Sequence, residues 1–135
     1  MLVGRLGVAG VLVCLCVVYP SFRPRELHEV LMGSRGARFE PATTTVRAGD
    51  TLRFINRNGG PHNVQFFSDS IPDPARDLID RAMPGKKIGW LSSQLFLDRD
   101  EVYEIVVPAL AAGRYPFLCL PHFAAGMTGA MVVVP

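Results

Sequence analysis

Apolar and polar positions alternate along most of the chain, and that period of two lays out a series of short strands. ELHEVLMGS, Glu26 to Ser34, reads as the first. RFEPATTTVRAGD, Arg38 to Asp50, follows with three β-branched threonines and closes on Gly49-Asp50, a turn signal. TLRFIN, Thr51 to Asn56, sets Leu52 and Phe54 against Thr51 and Arg53. NRNGGP is a loop, and HNVQFF, His62 to Phe67, is another alternating run. EVYEIVV (Glu101 to Val107), RYPFLCL (Arg114 to Leu120) and GAMVVV (Gly129 to Val134) complete the set, with Ala112-Gly113 as a turn.

The stretch from Ser68 to Asp98 breaks the alternation and predicts one short helix over residues 74–83. Asp73 stands as its N-cap and Pro74 at its first position. Leu78, Ile79 and Ala82 supply its apolar face, and Gly85 its end. About seven short strands with one helical insertion define an all-β fold, a sandwich or barrel with a short helix in a long inter-strand region. The period of two also gives directions. His62 shares a face with Val64 and Phe66, and Cys119 with Tyr115 and Phe117, so both point inward near an end where loops meet.

The N-terminal stretch does not belong to this pattern. Arg5 is the only charge before Arg23, and Leu6 to Tyr19 is continuously apolar. That layout predicts an export signal or an uncleaved N-terminal membrane anchor over residues 1–20, since VVYPSF offers no Ala-x-Ala cleavage pattern. A linker with Pro24 covers 21–26, and the folded domain covers 27–135. The expected location is the periplasm or the outer face of the cytoplasmic membrane.

Composition narrows the function. The 135 residues suffice for one domain; they are 49% hydrophobic and 19% charged, with a formal net charge of +2. No basic stripe points to nucleic acid. Cys14 and Cys16 lie in the apolar leader, which leaves Cys119 as the single thiol of the domain. A lone thiol in an exported domain has no disulfide partner, so it is either a small buried hydrophobe or a metal-held thiolate.

Its neighbours favour the metal. Cys119, His122 and Met127 form Cys-x2-His-x4-Met, and His62 converges on them from a distant strand. Two imidazoles and a thiolate make a trigonal set with a thioether on the axis, the arrangement of type 1 copper. Four protein donors leave no open catalytic position, so the expectation is no enzyme.

The two stretches AGDTLRFINRNGGPHNVQF (Ala48 to Phe67) and GRYPFLCLPHFAAGMTGAMVVV (Gly113 to Val134), with Phe39 to Pro41, resemble the cupredoxins, most closely the plastocyanin-like group. The resemblance implies a Greek-key β-sandwich holding one copper ion and passing single electrons between redox partners such as c-type cytochromes or a terminal oxidase. It implies His62, Cys119 and His122 as equatorial ligands and Met127 as the weak axial one. It further implies that Asn63 ties the ligand loops together, that Pro121 limits hydrogen bonding to the Cys119 sulfur, and that Gly126 permits a tight approach. Phe123 and Ala124 would form an apolar rim at His122, docking a monomer to its partners.

The chain also departs from that group. Leu118 stands where plant plastocyanins carry a tyrosine, a departure that puts the group's second, remote electron-entry route in doubt here. Asp69, Asp73, Asp77 and Asp80 are interleaved with Arg76 and Arg81, so a strong acidic docking patch is not expected. His28 reads as structural or exposed, and Trp90 and Phe96 as packing. Copper delivery, structural zinc, and service as a subunit of a larger oxidoreductase are the rival readings.

Overall fold

The computed structural model describes residues 23–135, so the predicted N-terminal signal or anchor lies outside the described residues. Eight strands form two four-stranded sheets. They are β1 (Leu27–Met32), β2 (Phe39–Glu40), β3 (Thr43–Val46), β4 (Thr51–Asn56), β5 (Gln65–Phe66), β6 (Val102–Val106), β7 (Gly113–Leu118) and β8 (Thr128–Val133). One sheet runs β2-β1-β4-β6 and the other β3-β8-β7-β5. The β1–β4 and β3–β8 pairs are parallel and the rest antiparallel. The result is the all-β Greek-key sandwich that the alternation and the resemblance predict.

Aromatic side chains from both sheets fill the space between them. Phe117 of β7 lies edge-on to Phe39 at 4.9 Å, to Phe54 at 5.4 Å and to Phe66 at 5.7 Å between ring centroids. Gly129 on β8 makes room for it: a Cβ there would sit 2.6 Å from the Phe117 ring.

Several local expectations are revised. The Arg38–Asp50 stretch is two short strands, and the chain changes sheet between Glu40 and Thr43. Pro41, which has no N–H for a ladder, sits at the change. Only Gln65 and Phe66 of HNVQFF are regular strand; His62 instead exchanges both backbone bonds with Phe96, at 3.1 and 2.8 Å. The helix α1 (Asp73–Ala82) forms where predicted, but Pro72 is its N-cap. Asp73 pairs with Arg76 at 2.7 Å instead of capping. Its buried residues are Ala75 and Ile79, and Leu78 is exposed. Asp80 accepts the Leu91 N–H at 2.8 Å and pairs with Lys87 at 2.9 Å. Trp90 is exposed, whereas Phe96 packs against Tyr103.

The strand directions define two poles. Parallel β1 and β4 both run toward the Gly33 and Asn58 loops, and the end of β7 meets the start of β5 through Leu118 and Gln65. Residues 33, 56–63 and 119–127 therefore gather at one pole. Glu26, His28 and Asp50 gather at the other.

Candidate metal centre

The first pole holds the convergent side chains. The Cys119 Sγ lies 3.5 Å from Nδ1 of His62 and 3.5 Å from Nδ1 of His122. The three donor atoms all fall within 4.8 Å of one another, and the two imidazole centroids are 4.7 Å apart. His62 and Cys119 are fully buried, while His122 is partly buried. Met127 is fully buried, and its backbone oxygen accepts the Cys119 N–H at 3.0 Å.

Each donor is held by backbone as well as by packing. His62 is fixed by its two bonds to Phe96. The Cys119 loop closes on itself: His122 N–H donates to the Cys119 oxygen at 3.2 Å, and Met127 N–H to the His122 oxygen at 3.2 Å. Two 3-10 turns meet at His122 within Leu120–Ala125. The loop ends on Gly126 in the left-handed region at φ 80°. A Cβ at Gly126 would meet nothing within 4 Å, so this glycine serves the backbone turn and not the close approach expected of it.

Asn63 joins the segment of His62 to that of Cys119, as expected. Its Oδ1 accepts the Leu120 N–H at 2.6 Å and its Nδ2 donates to the Ser92 Oγ at 3.0 Å. Two residues that the sequence did not single out complete the frame. Asn56 is buried; its Nδ2 donates to the Gly60 and Phe96 oxygens, and its Oδ1 accepts the Gly59 N–H. Asn58 reaches the far edge of the His62 ring, with Oδ1 2.9 Å from Nε2. Asn56 continues the buried face of Leu52 and Phe54 at the end of β4, whereas Asn58 stands in the loop beyond it, where alternation gives no signal.

The electrostatics suit a soft cation. Burial, and secondarily the neighbouring His122, push the His62 pKa down and favour the neutral imidazole that donates a lone pair. Burial pushes the Cys119 thiol up, against the backbone N–H groups of Asn63 and His122, so a cation must displace its proton. Two imidazoles and a thiol that ionises against a cation, converging at one buried point, match copper.

Around His122 the surface is apolar. Leu120 and Phe123 are about half exposed, Ala124 is exposed, and Phe123 packs on Phe67 at 5.8 Å. At the opposite pole, His28 Nε2 meets Asp50 Oδ2 at 3.1 Å near Glu26. Both Asp50 oxygens already accept backbone N–H groups, and the Arg23 guanidinium lies 3.7 Å away, so that cluster is charge-balanced from within.

The comparisons agree with this donor chemistry. Residues 28–134 match the family described as copper binding proteins, plastocyanin/azurin family. Plastocyanin from Vicia faba is 39% identical over 107 residues, covering 78% of this chain and 98% of that protein. Plastocyanin from Lactuca sativa is 36% identical over 107 residues, with the same coverage of 78% and 98%. The oxidized plastocyanin structure from Dryopteris crassirhizoma superposes with a TM-score of 0.63 at 24% identity, covering 79% of this chain and all of that one. A closed Greek-key sandwich with two imidazoles and a thiol at one pole is a cupredoxin architecture, and its cofactor is copper. The chain belongs to the plastocyanin/azurin family of copper-binding proteins.

Proposed function

We propose that this protein is a type 1 copper electron carrier, with the ion held by His62, Cys119 and His122 and more weakly by Met127. The observation that carries the reading is the convergence of the Cys119 sulfur and two imidazole nitrogens within 4.8 Å, in a pocket already closed by backbone hydrogen bonds. Bound copper supplies a Cu(I)/Cu(II) couple. The protein's part is to hold the donors still, so that little rearrangement accompanies a change of charge.

His62 and Cys119 lie out of solvent and His122 connects the cluster to the surface. A redox partner docks on the rim of Leu120, Phe123 and Ala124, over the exposed part of His122. Such transient complexes need little area. No substrate bond is made or broken, so the protein is not an enzyme by itself. Leu118 is buried and aliphatic, which leaves His122 as the port. The protein works as an exported monomer, in the periplasm or at the outer face of the cytoplasmic membrane. Residues 1–20 serve as its signal or tether, 21–26 as a linker and 27–135 as the copper domain. C-type cytochromes and a terminal oxidase are the fitting partners, and no nucleic acid is involved.

Mixing the copper-loaded protein with a reduced c-type cytochrome tests the role. Repeated, reversible one-electron exchange with copper retained after gel filtration is the expected result. Loss of the metal on reduction, or no exchange, would make this a copper-delivery protein and contradict the proposal.

A further inference from the structure

The outer edge of His62 carries an arrangement of its own. Nδ1 faces the Cys119 sulfur, and Nε2 lies 2.9 Å from the side-chain oxygen of Asn58. The same Asn58 oxygen accepts the Gly60 N–H at 3.0 Å. An N–H points only at an acceptor, so the Gly60 bond fixes which end of the amide is the oxygen. An amide oxygen cannot donate. The hydrogen of the neutral imidazole therefore sits on Nε2, and the Nδ1 lone pair is free on the side of the sulfur.

The neighbouring backbone is shaped around this contact. Gly33, just after β1, has φ 76°, and a Cβ there would stand 2.5 Å from Asn58 Nδ2 and 2.7 Å from His62 Nε2. Only glycine lets the asparagine lie across the ring. His62 is fully buried although Asn58 itself is exposed, so the asparagine both covers the ring and satisfies its N–H.

We propose that Asn58 is the positioning residue for His62: it sets the tautomer and ring orientation and tunes how strongly Nδ1 donates. The inference rests on reading His62 as a copper ligand. Partners on the outer nitrogen of a ligating histidine govern its basicity. A carboxylate in place of the amide makes the imidazole a stronger donor and favours Cu(II). An aliphatic side chain removes the acceptor and favours Cu(I).

Two variants and two measurements test this. Asn58→Asp keeps the acceptor and adds charge; Asn58→Leu keeps the volume and removes the acceptor. In the metal-free protein, nitrogen NMR of His62 should show a bare Nδ1 and a protonated Nε2 in the wild type and in N58D, and a mixed tautomer in N58L. In the copper-loaded protein, the reduction potential should fall in N58D and rise in N58L, with both variants melting cooperatively. Equal potentials in all three proteins, or a His62 tautomer unchanged in N58L, would overturn the role of Asn58. If His62 is not a ligand, the NMR difference appears and His62→Ala still forms the wild-type copper spectrum, which separates that failure from this one.

Discussion

The Oδ1 of Asn63 accepts the backbone N–H of Leu120 at 2.6 Å, joining the residue after one imidazole to the residue after the thiol, 57 positions apart. Asn63 is fully buried, and its amide also holds Ser92. Asn63→Ala leaves these partners without their bonds, at a cost of about 1–3 kcal/mol. Chemical denaturation of the metal-free protein measures that loss. A variant as stable as the wild type would show that the strap contributes nothing.

Gly129 predicts a packing limit. A Cβ on it would stand 2.6 Å from the Phe117 ring and 3.0 Å from the Ala42 oxygen. Gly129→Ala should destabilise by about 1–3 kcal/mol, as overfilled cores do. Adding Phe117→Leu should recover part of it, because the ring is the obstacle. Thermal melts of the single and double variants decide this, and additive losses would refute the steric account.

Asp50 predicts an acid-sensitive limb. Burial alone would raise its pKa, but the N–H groups of Glu26 and Arg47, His28 and the Arg23 charge outweigh it and bring the carboxyl to about 2 from 3.8. A carboxyl with a lowered folded pKa contributes stability that is complete above the unfolded value and is lost as pH falls through the folded one. The contribution, on the order of 2 kcal/mol by the linkage between shift and free energy, should disappear between about pH 4 and pH 2. Asp50→Asn should be less stable at neutral pH and show a flatter acid limb. Urea titrations of the metal-free protein across that range make the comparison.

The rim predicts a kinetic effect without a spectral one. Phe123 is half exposed and packs on Phe67 beside His122. Phe123→Lys should leave the absorption spectrum intact and slow electron exchange with a cytochrome by about tenfold, the equivalent of one interface contact of about 1.4 kcal/mol. Stopped-flow rates unchanged by the substitution would move the docking surface elsewhere.

Much of this site was legible because its donors sit in or beside apolar runs that the core must bury. His62 and Cys119 stand in runs whose apolar members are buried, Val64 and Phe66 on one side and Tyr115 and Phe117 on the other, although Asn63 and Leu118 between them are buried too and both donors lie just outside regular strand. That placed the thiol and one imidazole inside before any contact was known. What alternation misses is set by tertiary contacts. The threonine run divides between sheets near Pro41, and Asp73 prefers Arg76 over the helix end. Trp90 stays exposed although its side chain is the largest in the chain. Asn56 ends β4 on its buried face, but alternation does not show that its amide shapes the turn; Asn58 lies in the irregular loop beyond, where only folded geometry reveals that it meets His62.

The proposed function rests on Cys119 binding copper as a thiolate between two imidazoles. The absorption and EPR spectrum of the copper-loaded protein tests it most directly, with Cys119→Ser alongside. An intense thiolate-to-copper band and a narrow copper hyperfine splitting are expected in the wild type, both lost in C119S. A wild-type protein that stays colourless with copper, or a band that survives in C119S, would contradict it.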